Sequence, residues 1–96
     1  MGSYKIFLTE TFQEKLSGLD KGIREAITKK INGYVLPQLV SEPHFGINIK
    51  KLKGYNPETW RYRIGSHRLF YLIEEKGKVV QLLTIDDRKD AYKNKS

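Results

Sequence analysis

The stretch KKLKGYNPETWRYRIGSHRLFY, residues 50 to 71, decides the fold. Trp60 to Ile64 and His67 to Ile73 alternate in character and are separated by Gly65-Ser66, and a period of two broken by glycine at a two-residue turn predicts a β-hairpin. Side chains at i and i+2 leave a strand on the same side, so Arg61 and Arg63 are expected on one face and Trp60, Tyr62 and Ile64 on the other, in the core. Six cations, Lys50, Lys51, Lys53, Arg61, Arg63 and Arg68, stand here against Glu58 alone, a net +5 out of a chain total of +7. The charge is local, and a local cationic face on a pleated surface suits a polyanion. Its structural alternative is a guard against edge-to-edge aggregation. That use needs only one or two charges and favours Lys, whereas three Arg converge here within eight positions.

Outside this stretch, composition sets the bounds. A chain of 96 residues with 39% hydrophobic and 30% charged residues is expected to form one domain over residues 1–96, too apolar to be disordered and too short for two cores. Without cysteine it has neither disulfides nor thiolate metal ligands, which fits a reducing cytoplasm. The longest apolar runs, Leu69 to Ile73 and Val79 to Ile85, are strand-sized and far short of the roughly 20 residues of a membrane span. No signal-peptide pattern opens the chain, so a cytoplasmic location without membrane attachment is expected.

Read in order, Tyr4 to Leu8 predicts a strand that Thr9 ends, Thr being favoured at helix starts. Phe12, Leu16 and Leu19 form one apolar stripe of a first helix, with Thr11 and Glu14 in capping-box spacing. Asp20 is expected to cap a second helix carrying Ile23, Ile27, Ile31 and Val35, and Pro37 to stop it by forcing Leu36 out of the helical region. Gln38 to Asn48 reads as a surface loop, and Ile47, Ile49 and Leu52 begin an edge strand. After the basic hairpin and the turn Glu75-Lys76-Gly77, Val79 to Ile85 supplies the third strand of an antiparallel meander. The expected class is α+β: an N-terminal strand and a two-helix hairpin packed on one face of a small antiparallel sheet, the other face partly open.

Several chemistries find no support. There is no GxGxxG or GxxxxGK[ST] loop to cradle a nucleotide. His44 and His67 have no partner at metal-ligand spacing, so no metal is expected. Asp86 and Asp87 are adjacent and fall on opposite sides of an extended chain, unlike a catalytic carboxylate pair. What remains is Arg61, Arg63, Arg68, Arg88 and Tyr92. Arginine stays protonated and offers planar donors that match phosphate oxygens, so its role is to grip a phosphodiester and stabilise added charge. Tyr92 can give a proton to a leaving oxygen or stack on a base. His67 titrates nearest neutrality, but strand alternation turns it away from the side Arg68 takes.

The order KKLKGY, then WRYRIGSHRLFY, then a strand closing on TIDDRKDAY resembles the RelE/ParE toxin superfamily of bacterial and archaeal toxin–antitoxin pairs, closer to its RelE branch. The resemblance implies a small ribonuclease that enters the ribosomal A site, contacts mRNA and ribosomal RNA, and is silenced by a cognate antitoxin protein. The cut would be made by the RNA's own 2′-hydroxyl, leaving a cyclic phosphate and needing no cofactor. Position by position, Arg61 and Arg63 match the paired basic residues of the second strand. Arg68 matches the transition-state clamp of the next strand, Arg88 the arginine after the last strand, and Tyr92 the terminal tyrosine. Lys50, Lys51 and Lys53 extend the RNA-binding surface. His67 departs from the pattern by standing where an aromatic is commoner, and Asp86-Asp87 where many relatives carry Gly or Asp followed by His. A ParE-like inhibitor of DNA gyrase, or a catalytically silent binding module of the same fold, remains the alternative.

Overall fold

The computed structural model describes residues 3–87. Strand β1 (Lys5–Leu8) leads into helix α1 (Glu10–Ser17), helix α2 (Lys21–Lys30), a π-helical turn at Ile31–Val35 and helix α3 (Leu36–Ser41). Strands β2 (Ile49–Lys51), β3 (Trp60–Ile64), β4 (His67–Glu74) and β5 (Val79–Asp87) follow. The sheet order is β1-β5-β4-β3-β2. The hairpin, the edge strand and the α+β architecture stand as the alternation of residues implies. The sheet is not wholly antiparallel, however, because β1 pairs with β5 in parallel, Lys5 opposite Val79. The Gly65-Ser66 turn has Gly65 at φ +59°, the left-handed position a two-residue hairpin needs first. In the β4–β5 turn the left-handed residue is Lys78 rather than Gly77.

Burial follows the period of each element. Phe12, Ile27, Ile31, Val35 and Leu39 come down from the helical layer onto Tyr62, Ile64, Leu69, Tyr71, Val80, Leu82 and Ile85 of the sheet. Each fully buried Leu or Ile contributes roughly 1.5–3 kcal/mol by leaving water. Trp60 lies at the border of this core, stacked against Tyr71 with ring centroids 6.5 Å apart. Ile23 is exposed, so the apolar stripe of α2 starts one turn later, at Ile27.

The helical layer departs from the sequence reading in three places. Pro37 does not end the helix, and Leu36 keeps helical angles (φ −62°, ψ −46°). The Leu36 N–H bonds Ile31 O, five residues back. That wider turn precedes α3, in which Pro37 is the second residue, a position whose N–H has no intrahelical acceptor. The chain therefore stays helical to Ser41, and Leu39 continues the four-residue spacing into full burial. The cap of α1 is Thr9 rather than Thr11: its Oγ1 accepts from Phe12 N at 3.1 Å and lies 2.7 Å from Leu82 O. Asp20 makes no side-chain cap; its carbonyl accepts from Arg24 N at 2.7 Å instead.

The loop between α3 and β2 is pinned at one end of the sheet. Tyr71 Oη donates to Pro43 O at 2.7 Å. His44 Nδ1 is 2.9 Å from Glu42 Oε2, its Nε2 meets Glu75 Oε2, and Tyr4 Oη donates to Glu75 Oε1 at 3.0 Å. Trp60 closes the cluster edge-on to the His44 ring, centroids 5.5 Å apart.

Candidate nucleic-acid interface

Register assembles the site. Arg63 stands opposite Arg68 and Arg61 opposite Phe70 across β3–β4. Directly paired residues share a face, so the three arginines lie together on the side of the sheet away from the helices. The next strands extend the rows: Lys50 pairs with Arg61 on one side, and Thr84 with Phe70 and Asp86 with Arg68 on the other. A bulge accompanies this, since Phe70 pairs with Thr84 and Tyr71 with Leu82, leaving Leu83 as the extra residue of β5.

Electrostatics distinguish this face from the rest of the surface. None of the three guanidiniums has a hydrogen bond or ion pair among the described residues. The nearest carboxylate in register, on Asp86, is instead 3.6 Å from Lys15 Nζ. Burial first, then the charges of Arg68 and Arg63, push the Arg61 guanidinium below its ordinary pKa, which leaves it a cation at any working pH. Arg61 Nε, Arg68 Nε and Thr84 Oγ1 are buried without a hydrogen-bond partner. Each such orphan costs the fold about 1–3 kcal/mol. Three mutually repelling cations with unsatisfied donors form a seat for an anion that the protein does not itself supply.

The remaining expected residues are placed differently. Lys50 shares the arginine face, but Lys51 is bound to Glu58 at 2.8 Å and lies over the Trp60 ring at 5.9 Å. Lys53 is exposed in the segment after β2, away from the paired rows. His67 is turned to the helix side, only 5% exposed, with Nε2 3.6 Å from Asp87 Oδ2 and Nδ1 3.2 Å from Ser66 Oγ. Asp86 and Asp87 part to opposite sides as alternation requires, Asp86 within 3.6 Å of Lys15 Nζ and Asp87 within 3.6 Å of His67 Nε2. Arg88 and Tyr92 lie outside the described residues. Phe70 and Thr84 escaped the sequence reading, although the β3–β4 register that the Gly65-Ser66 turn dictates already sets Phe70 opposite Arg61. Thr84 is hidden further, because the bulge shifts its register. No group of three or more His, Cys, Asp or Glu among the described residues could hold a metal ion, and no described helix is long and apolar enough to cross a membrane.

A cleft of about 370 Å³ opens at the β3 edge between the sheet and the helical layer, lined by Lys30, Tyr34 and Val35 of that layer and by Asn48, Tyr62, Arg63, Ile64 and Gly65. It joins the π-helical turn to the end of β3, so Arg63 belongs to both the arginine cluster and the cleft.

The chain was compared with known proteins. A family model described as the ParE toxin of the type II toxin–antitoxin system, parDE, matches residues 6–92. No curated protein matches. Among solved structures, the chain is similar to the toxin–antitoxin complex RelBE2 from Mycobacterium tuberculosis, with 24% identity, 90% of this chain and 99% of that chain covered, and a TM-score of 0.67. The isolated RelE toxin of E. coli shares 20% identity over 98% of this chain and 100% of that chain, with a TM-score of 0.65. A YoeB/ParE toxin from Agrobacterium tumefaciens shares 18% over 86% and 97%, with a TM-score of 0.68.

Proposed function

The chain belongs to the ParE toxin family of type II toxin–antitoxin systems, within the RelE/ParE superfamily, and from that premise we propose that it is an endoribonuclease that cleaves mRNA in the ribosomal A site. One observation carries the reading: Arg61, Arg63 and Arg68 converge on an open sheet face, and among the described residues none of them has an ion-pair partner. In the proposed reaction the 2′-hydroxyl of the RNA attacks the adjacent phosphorus and loses its proton. The 5′-oxygen leaves and gains one, so the products are a 2′,3′-cyclic phosphate and a 5′-hydroxyl. Arg68 and Arg61 neutralise the charge that grows on the non-bridging oxygens, an effect that is stronger for half-buried guanidiniums than for fully exposed ones. Arg63, the most exposed of the three, steers and orients the strand. Arg88 and Tyr92 are assigned by the resemblance alone, Tyr92 as donor to the leaving oxygen. A cognate antitoxin with an acidic segment would silence the enzyme by lying on this same face.

The test is a reconstituted translation reaction with programmed ribosomes. Cleavage within the A-site codon, ending in a cyclic phosphate and abolished by Arg68→Ala, supports the reading. Intact message would overturn it. A second reading, inhibition of DNA gyrase, is favoured by the ParE name of the matching family model. Blocked supercoiling with message left intact would establish that reading instead.

A further inference from the structure

The cleft at Arg63 lies outside the arginine cluster that grips the scissile phosphate. Its walls are chemically specific. Tyr34 projects from the π-helical turn and is 71% exposed, unusual for so large an aromatic side chain. Lys30 Nζ reaches the opposite rim, 3.8 Å from where a Cβ on Gly65 would stand. Arg63 and Asn48 line it too, beside the apolar Val35 and Ile64, and no carboxylate lines the cleft among the described residues. π-turns inside helices are rare and recur at functional sites, and this one, Ile31–Val35, contains Tyr34.

We infer that this cleft is a nucleotide subsite for single-stranded RNA, reached from the arginine face around the β3 edge at Arg63. A base would stack on Tyr34, with its phosphate held between Lys30 and Arg63 and its polar edge met by Asn48. An exposed aromatic beside two cations is the arrangement that binds single strands, because every base has a π-face and every linkage a charge. Arg63 sets the spacing: it stands directly opposite Arg68 across the β3–β4 pair, about 4.5–5.5 Å between Cα atoms, so a strand gripped at Arg68 passes Arg63 and reaches the cleft within a nucleotide or two. A base edge can pair with Asn48 in two ways, so the subsite would bias which nucleotide is accepted next to the scissile linkage.

The inference rests on the arginine face receiving RNA, and its test separates the two. The probe is a fluorescent oligouridylate carrying 2′-O-methyl groups, which removes the attacking hydroxyl and isolates binding from cleavage. Tyr34→Ala is expected to weaken binding roughly tenfold while Tyr34→Phe stays near wild type. Lys30→Ala should lower the slope of log affinity against log salt by about 0.7, the share of one single-strand phosphate contact. Tyr34 and Lys30 are both exposed, so these variants keep the fold. If Arg68→Ala weakens binding and neither Tyr34→Ala nor Lys30→Ala does, the subsite is overturned and the arginine face stands. If the wild-type protein shows no binding that Arg68→Ala reduces, both fall. If Tyr34→Ala weakens binding of oligoglutamate and leaves the oligouridylate untouched, the cleft is a protein-docking site and the inference is wrong.

Discussion

Two charged clusters in this molecule are built on opposite terms. At the end of the sheet near the α3–β2 loop, His44 sits between Glu42 and Glu75, and Tyr4 holds the far oxygen of Glu75. Every ionisable group there has a partner, and together they tie β1, the loop and the β4–β5 turn. On the outer face of β3 and β4, Arg68 and Arg63 repel Arg61, and among the described residues none of the three has a carboxylate partner. The first cluster lowers the energy of the folded chain. The second raises it, which natural proteins tolerate where a ligand supplies the missing charge.

Removing one cation from the uncompensated cluster breaks this comparison most sharply. Arg68→Ala should reduce mRNA cleavage on programmed ribosomes about 10²–10³-fold, the usual loss when one donor to a developing oxyanion is deleted. Its thermal midpoint should hold or rise, because a buried orphan Nε and a like-charge contact vanish together. A fall in both activity and midpoint would mean that the arginine is structural. The converse change belongs to the compensated cluster: His44→Ala should lower the midpoint by several degrees, on the order of 1–2 kcal/mol, by leaving two carboxylates facing each other. Cleavage per folded molecule should be unchanged, as measured by activity at a temperature where both proteins are folded. Between these extremes, Arg61→Met should stabilise by roughly 0.5–1 kcal/mol in denaturant titrations while weakening RNA binding, since it keeps the apolar stem and removes the repelled, half-buried charge.

How much of this could be read before any coordinates depends on whether the signal is local. Alternation around Gly65-Ser66 fixed which side Arg61, Arg63 and Trp60 take, because strand period is a local rule that register cannot alter without exposing Tyr62 and Ile64. The same rule turned His67 inward. Pro37 misled because its usual meaning assumes α-helical geometry on both sides. The π-turn breaks that assumption, and the only local hint was Leu39 prolonging the spacing of Ile27, Ile31 and Val35. Lys51 was grouped with Lys50 by composition, although a single step along a strand puts it on the other face, beside Glu58 and Trp60. Phe70 and Thr84 entered the site through cross-strand pairing and a bulge, which relate residues distant in sequence. The His44 cluster joins residues from position 4 to position 75 and had no sequence signature at all.

The smallest effect is the one that tells the two clusters apart by pH. Burial works against the charged form of His44, but its hydrogen bonds to Glu75 and Glu42 outweigh this and raise its pKa above the ordinary value. The backbone and side-chain hydrogen bonds of His44 lower Glu42, and the side-chain bond from His44 lowers Glu75. A raised histidine stabilises the fold fully below its unfolded pKa of about 6.5 and ceases to do so as pH climbs through the folded value. A depressed glutamate stabilises above its unfolded pKa of about 4.3 and ceases to do so as pH drops through the folded value. The cluster therefore contributes most between roughly pH 4.5 and 6.5 and weakens on the alkaline side first in the physiological range. His44→Gln keeps hydrogen-bonding capacity without a titrating proton, so the difference in thermal midpoint between wild type and variant should shrink from pH 6 to pH 8.5. Over that same interval the salt dependence of RNA binding should not move, because guanidiniums do not titrate there. A binding slope that changed with pH while the midpoint difference stayed flat would mean that a titrating group, and not the arginines, sets the charge of the outer face.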